Sequence, residues 1–159
     1  MPHAVAVSTP SPREVVVSRV FDAPVQLVFD CHTQPQLVRR WLLGPPGWSM
    51  PVCEIDLRVG GGYRYRWRND ADGMEFGATG TYTEIDAPNR IVMIERMEGF
   101  DGESLCTTTF VEVDGRTTMT ISMQFPSEAA RDQAVATGMA DGMGASYSML
   151  DGVLADLQK

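Results

Sequence analysis

Apolar residues recur along the chain with two different periods, which divide it into predicted strands and helices. Residues 14–21 are β-branched and apolar, so they form the first predicted strand. Apolar positions then recur every three or four residues over 25–32 and 37–42, while Pro24 and Pro35 suit the first turn of a helix. The pattern therefore predicts one strand followed by two short helices.

A two-residue period occupies the middle of the chain. It is clearest in residues 63–68, where aromatic side chains alternate with arginines that we expect to pair with acidic residues of neighbouring strands. The strands predicted from this period cover residues 52–57, 63–68, 76–85, 90–97, 105–113 and 117–125. Their connections are too short for parallel crossovers, which need about a dozen residues, so the strands form an antiparallel meander.

The end of the chain returns to a helical period. From Ser127 onward this period predicts one long C-terminal helix. Residues 1–13 are rich in proline and serine and are predicted to be a flexible tail before a single domain over 14–159. This order of elements is typical of the α+β fold class. A curved antiparallel sheet of six or seven strands can wrap around the C-terminal helix and leave an apolar cavity where the packing is incomplete.

The composition argues against several classes of function. The 159 residues include 13 Lys and Arg against 21 Asp and Glu, which gives a net charge of −8. Nucleic-acid binding needs clustered cations, so this balance argues against it. The apolar runs are too short for a membrane span, and the first residues lack the pattern of a signal peptide. The cysteine spacings indicate no disulfide framework, and we expect a cytoplasmic protein.

Cysteine and histidine positions do not indicate a metal site. Cys31, His32, Cys53 and Cys106 lack the paired spacings of zinc ligands, so neither a metal nor another cofactor is predicted. Cys31 and His32 are sequence neighbours on a predicted helix, where neighbouring side chains do not face each other. A catalytic Cys–His pair is therefore not expected from these two residues.

Several short motifs resemble a known family. They are R-V-F-D-A-P at 19–24, V-F-D-C at 28–31, W-L-L-G-P-P-G at 41–47, D-L-R-V-G-G-G-Y-R-Y at 56–65, G-T-Y-T-E-I at 80–85, P-N-R-I-V at 88–92, T-T-T-F at 107–110 and two G-M pairs within 138–143. In this order, over roughly residues 14–157, they resemble the AHSA1-like (activator of Hsp90 ATPase homologue-like) branch of the START/Bet v 1-like (SRPBCC) superfamily.

The resemblance implies a helix-grip fold, in which an antiparallel sheet wraps around a long C-terminal helix with a cavity between them. Some relatives bind hydrophobic small molecules, some cyclise polyketides, and the domain that names the branch belongs to a cochaperone that activates the Hsp90 ATPase. Fold alone does not choose among these roles. Many relatives carry tryptophan at the position of Met143, so this chain offers a softer wall there.

Aromatic and methionine side chains are predicted to line the cavity, where they suit a flat or irregular apolar molecule. The predicted ligand-binding residues are Trp41, Tyr63, Tyr65, Trp67, Phe76, Tyr82, Glu95, Met119, Met139, Met143 and Tyr147. The same residues could instead form an ordinary core. The leading hypothesis is a protein that binds a small apolar ligand, and a homodimer is compatible with the sequence.

Glu95 is the tentative catalytic residue. It shares a strand face with Ile91 and Met93, so an inward orientation would place its carboxylate in an apolar cavity and raise its pKa. That arrangement would favour an alternative function, a cyclase- or hydrolase-like enzyme acting on polyketide-like substrates. Pairing with an arginine, or a place at the sheet edge, would remove this support. A third hypothesis is a cochaperone-like partner of Hsp90.

Overall fold

One antiparallel sheet dominates the computed structural model, which describes residues 3–159. Its strands are β1 (Ala6–Ser8), β2 (Glu14–Phe21), β3 (Trp48–Ile55), β4 (Gly62–Asn69), β5 (Glu75–Asp86), β6 (Arg90–Met97), β7 (Ser104–Val113) and β8 (Arg116–Gln124). Their order in the sheet is β1-β2-β8-β7-β6-β5-β4-β3. The meander from β3 to β8 is as predicted, and β2 closes the sheet by pairing with β8.

Helices lie at two places in the chain. Between β2 and β3 are α1 (Val25–Thr33) and α2 (Pro35–Val38), and after β8 come α3 (Glu128–Ala136) and α4 (Met139–Leu157). The packing of α1 against β7 and β8, and of α4 against β2 and α1, places both helices on one side of the sheet. The α+β helix-grip fold predicted from the sequence is confirmed, with eight strands rather than six or seven.

Two elements differ from the sequence prediction. Ala6–Ser8, inside the segment predicted to be a flexible tail, forms a short strand that pairs with β2 and covers its otherwise open edge. The predicted C-terminal helix is divided in two, because Gly138 adopts a left-handed backbone conformation with φ +80°. Glycine reaches this conformation without the steric cost that a Cβ would add, so it ends α3 and starts α4 in a new direction.

The core between sheet and helices is packed unevenly along α4. Leu150, Val153 and Leu154, in the C-terminal half of the helix, are buried. Met139 and Met143, in its N-terminal half, are only half-buried. The sheet therefore grips the end of α4 tightly and its beginning more loosely. Within residues 3–159 no helix is both long and apolar enough to cross a membrane.

The alternation in β4 orients its side chains as predicted. Tyr63 and Tyr65 are buried, whereas Arg64 is exposed on the opposite face. The side chains of Arg64 and Arg66 pair with acidic residues of β3 and β5 and with Glu98, which follows β6. These contacts are Arg64 Nη1 to Glu54 Oε1 at 3.5 Å, Arg66 Nε to Glu75 Oε1 at 3.1 Å and Arg66 Nη1 to Glu98 Oε2 at 2.5 Å. The aromatic face of β4 thus points into the fold.

Candidate functional site

Strands β4 and β5 bring three tyrosines together on the inner face of the sheet. The ring centroids of Tyr63 and Tyr65 are 4.4 Å apart, and those of Tyr63 and Tyr82 are 5.9 Å apart. Gly80 lies directly opposite Tyr63 in the register, and a Cβ at Gly80 would stand 2.0 Å from Cε2 of the Tyr63 ring. The ring therefore occupies the space that a side chain at position 80 would need.

Replacing Gly80 with alanine is expected to destabilise the protein by about 1–3 kcal/mol, because the added methyl group must displace the packed Tyr63 ring. The free energy of unfolding from urea denaturation measures this effect. Gly142→Ala is the matched control, since a Cβ at Gly142 in α4 meets nothing within 4 Å and alanine favours a helix by up to about 1 kcal/mol. Equal stability of Gly80→Ala and the wild type would contradict the packing described.

Glu95 completes this group of side chains from β6. It lies opposite Gly80 in the β5–β6 register, and the Tyr63 hydroxyl donates a hydrogen bond to its Oε2 atom. Burial raises the pKa of Glu95, while the hydrogen bond from Tyr63 acts in the opposite direction by stabilising the carboxylate. Within residues 3–159 Glu95 forms no ion pair with an arginine, and β6 lies between β5 and β7 rather than at an edge of the sheet. We call Tyr63, Tyr65, Tyr82 and Glu95 the tyrosine–glutamate cluster.

Two tyrosines of the tyrosine–glutamate cluster and the neighbouring Cys106 are held in their neutral forms. Burial raises the pKa values of Tyr63 and Tyr65 well above the ordinary value, and the negative charge of Glu95 raises both further. Cys106, which faces the cluster from β7, has its thiol pKa raised for the same two reasons. A thiol in this state is a poor nucleophile, because the thiolate is the reactive form.

A second group of aromatic rings surrounds His32 in α1. Its ring centroid lies 4.8 Å from that of Trp41 and 5.1 Å from that of Phe110. Nδ1 contacts the Val28 carbonyl oxygen at 2.8 Å, so Nδ1 carries the proton and Nε2 is left as an acceptor. Burial lowers the pKa of His32 to about 4, and the ring is therefore neutral at neutral pH.

Trp41 joins this group to α4. Its ring stacks on Tyr147 with centroids 6.0 Å apart, and its Nε1 donates to the Cys31 carbonyl oxygen at 2.8 Å. We call His32, Trp41, Phe110 and Tyr147 the histidine box. The sequence pattern assigned His32 no binding role, although its spacing of three from Phe29 and four from Val28 places it on the apolar side of α1.

Several deep polar atoms in both groups lack a protein partner. Tyr65 and Tyr147 are buried, and Glu95 and His32 are half-buried. Among the residues of 3–159 that are not exposed, Arg19 Nε is the only side-chain nitrogen or oxygen that has neither a hydrogen-bond partner nor accessible surface. The unpartnered hydroxyls of Tyr65 and Tyr147, Glu95 Oε1 and His32 Nε2 therefore keep accessible surface. These four atoms are therefore open to a hydrogen bond from a molecule other than the protein.

The remaining predicted ligand-binding residues belong neither to the tyrosine–glutamate cluster nor to the histidine box. Trp67 and Phe76 lie near the β4–β5 turn with ring centroids 5.1 Å apart, and Trp67 Nε1 donates to the Leu42 carbonyl oxygen at 2.7 Å. Met139 and Met143 are half-buried on α4. Met119 is 1% exposed in the packed part of the sheet, which leaves it almost no surface for contact with a ligand.

Arg19 is an interior charge that the sequence pattern did not single out. It follows Val15 and Val17 on the inward face of β2, and its side chain is 1% exposed. Nη1 and Nη2 donate to the two carboxylate oxygens of Asp151 at 3.0 and 2.5 Å. This ion pair connects the sheet to α4 one helical turn beyond Tyr147. The sequence signal that could have indicated this interior charge is an arginine at the third inward-facing position of an otherwise apolar strand.

An open depression of about 460 Å³ lies at the β3–β4 turn. Its lining includes Gly61, Gly62, Gly80 and Tyr63. Tyr63 thus belongs both to this depression and to the tyrosine–glutamate cluster. The absence of side chains at the three glycines brings the surface close to the interior hydrogen bond between Tyr63 and Glu95.

Comparison with known proteins agrees with this architecture. A solved protein of Rhodobacter sphaeroides is 28% identical, with a TM-score of 0.90 over 96% of this chain and 98% of that one. A protein of Arthrobacter aurescens is 25% identical with a TM-score of 0.83 over 95% and 91%, and one of Mycobacterium smegmatis is 24% identical with a TM-score of 0.84 over 96% and 97%. No curated protein matches the sequence significantly.

The family model described as "Activator of Hsp90 ATPase homolog 1-like protein" matches residues 22–155, which is most of the chain. The match includes α1 to α3, β3 to β8 and nearly all of α4, and so covers the tyrosine–glutamate cluster and the histidine box. The chain therefore belongs to the activator of Hsp90 ATPase homologue 1-like family.

Proposed function

We propose that this protein binds a small, largely apolar molecule between the inner face of the sheet and α4. The observation that carries the proposal is the set of deep, unpartnered and accessible polar atoms of Tyr65, Glu95, His32 and Tyr147. Buried polar groups in folded proteins are nearly always hydrogen-bonded. A ligand with a few polar atoms would satisfy these groups, and the family fold is one that commonly holds hydrophobic ligands.

The surroundings of these polar atoms are apolar and adaptable. The rings of the tyrosine–glutamate cluster and the histidine box supply flat contact surfaces. Met93, Met139 and Met143 are half-buried beside the core, and methionine adjusts its shape to irregular ligands. Each Å² of apolar surface that a ligand buries contributes about 25 cal/mol before the costs of association.

Binding of a neutral aromatic probe tests this proposal. N-phenyl-1-naphthylamine is expected to bind with a saturable rise in fluorescence at one molecule per chain. Met143→Trp adds a bulky ring at the loosely packed beginning of α4, so it is expected to weaken binding about tenfold, which is roughly 1.4 kcal/mol. Met74→Trp is the matched control, because Met74 lies in the β4–β5 turn and is 55% exposed.

Two results would contradict the proposal. One is the absence of saturable binding for a series of neutral aromatic probes of increasing size. The other is an equal affinity of Met143→Trp, Met74→Trp and the wild type, which would place the probe away from α4. Thermal unfolding of each variant confirms that it is folded before its affinity is compared.

The hydrogen bond between Tyr63 and Glu95 favours a second candidate function, acid–base catalysis on a bound polyketide-like molecule. A carboxyl group with a raised pKa takes up and returns a proton at a higher pH than an ordinary glutamate does. Glu95→Gln keeps the shape of the side chain and removes this capacity. Any turnover of a cyclisable polyketide mimic by the wild type should therefore be lost in Glu95→Gln, and unchanged turnover would refute this function.

A further inference from the structure

The carboxylate of Glu95 has one hydrogen-bonding side left for a ligand. Tyr63 occupies Oε2, whereas Oε1 has no hydrogen-bond partner within residues 3–159 and keeps accessible surface. Glu95 differs in this respect from the acidic residues on the outer face of the sheet. Glu54, Glu75 and Glu98 each lie within 4 Å of an arginine nitrogen, and their side chains are partly exposed to solvent.

No positive charge compensates Glu95 in the part of the chain that the structure describes, where it takes part in no ion pair. Its neighbours Tyr63, Tyr65 and Cys106 are held neutral. A carboxylate inside a protein is costly unless a cation and hydrogen bonds accompany it. Burial raises the pKa of Glu95 for this reason, and its ionised form lacks a compensating cation among these neighbours.

Three features around Glu95 would favour a cation at Oε1, although burial raises the pKa of the carboxyl group. Tyr63 donates its proton to Oε2, which stabilises the ionised form of the carboxyl group. The aromatic rings of the tyrosine–glutamate cluster have electron-rich faces that attract organic cations. The net charge of −8 also raises the local concentration of cations around the protein.

We propose that the bound molecule carries a protonated amine, which donates a hydrogen bond to Glu95 Oε1 beside the tyrosine rings. This inference rests on the proposed function, because it assigns a chemical class to the ligand of the same site. The ligand is then a hydrophobic amine rather than a neutral or acidic molecule. Glu95 acts as its counter-ion, and Tyr63 holds the carboxylate in position.

Matched pairs of amines and alcohols test the inference in the full chain. The probes are benzylamine, 1-naphthylmethylamine and 9-anthracenylmethylamine, each compared with the alcohol that replaces the amine by a hydroxyl. Isothermal titration at neutral pH is expected to show that the best-fitting amine binds at least about tenfold more tightly than its alcohol. Glu95→Gln should remove this preference by weakening the amine while leaving the alcohol within about twofold.

Glu128→Gln is the control, because Glu128 is exposed in the first turn of α3 and its replacement changes the net charge equally. It should retain the preference for the amine. Equal affinities of amine and alcohol for the wild type would overturn the inference and leave the proposed function intact. An equal loss of affinity for both probes in Glu95→Gln would have the same consequence. Failure of every amine and alcohol to bind would overturn both. The wild-type comparison decides the question even if Glu95→Gln does not fold.

Discussion

Replacing Asp151 with alanine is expected to destabilise the protein by about 3–5 kcal/mol, the usual cost of leaving a buried charge without its partner. Arg19 would lose both hydrogen bonds to the carboxylate, while its side chain is 1% exposed and its Nε already has no partner. The hydrogen bond from Nη1 to the Val20 carbonyl oxygen would remain. This carbonyl contact and the Phe21 ring, whose centroid lies 5.0 Å from Arg19 Cζ, do not compensate a guanidinium charge removed from water.

Urea denaturation of Asp151→Ala measures this effect, and Asp156→Ala is the matched control one and a half turns further along α4. Asp156 is more than half exposed and pairs with Arg40 at 3.5 Å and Lys159 at 3.2 Å, so its loss should cost less than about 1 kcal/mol. The double variant Arg19→Met, Asp151→Ala should recover much of the stability, since no buried charge is left. A loss below about 1 kcal/mol in Asp151→Ala would show that Arg19 finds another partner or water.

The ion pair also has a consequence for the binding site. It ties α4 to β2 one turn after Tyr147, whose hydroxyl belongs to the histidine box. Loosening this connection would change the distance between α4 and the sheet. We therefore expect Asp151→Ala to alter the affinity for a neutral probe as well as the stability, whereas Asp156→Ala should leave the affinity unchanged and lower the stability only slightly.

Acidification is expected to destabilise the protein through His32 by up to about 3 kcal/mol. The pKa of this histidine is about 4 in the folded protein against an ordinary 6.5, because burial disfavours the charged ring. As the pH falls below 6.5 the unfolded chain takes up a proton that the folded protein does not, so stability decreases until about pH 4. A pKa difference of one corresponds to about 1.4 kcal/mol, so the difference between these two pKa values lowers the free energy of unfolding by roughly 3 kcal/mol.

The free energy of unfolding measured at several pH values between about 7 and 4 checks this prediction. His32→Asn places an amide nitrogen near the position of Nδ1 and does not titrate, so its stability should fall much less over this range. His3→Asn, which removes the other histidine of the chain, should retain most of the wild-type decrease. A ring titration of His32 near pH 6.5 by NMR would contradict the burial described.

The neutral state of His32 bears on the ligand binding that we propose. With its proton on Nδ1, the ring presents Nε2 as an acceptor between the rings of Trp41 and Phe110. A hydroxyl or N–H group of a ligand is the natural donor to this atom. Ligand binding would then add to the acid sensitivity of the protein, because protonation of His32 converts the acceptor into a donor.

The sequence alone determined most elements of this fold, apart from β1 and the division of the C-terminal helix, and the two faces of its clearest strand. The alternation in residues 63–68 predicted that Tyr63 and Tyr65 lie on the face opposite the arginines, and the structure has this arrangement. The short connections predicted the antiparallel meander. These features could be read from the chain because the period of a strand or helix is a property of the local backbone.

Only the tertiary structure decided which interior groups meet. Glu95 and its donor Tyr63 are 32 positions apart, and Arg19 and Asp151 are 132 positions apart. Such partners depend on the register between strands and on how α4 packs against the sheet. Neither can be read from the local pattern of apolar and polar residues. The left-handed turn at Gly138 is a further example, since four glycines in the C-terminal segment (138, 142, 144 and 152) were equal candidates for a break. The sequence thus left the orientation of Glu95 open, whereas the folded sheet turns its carboxylate inward, gives it a tyrosine partner on one oxygen and leaves the other accessible.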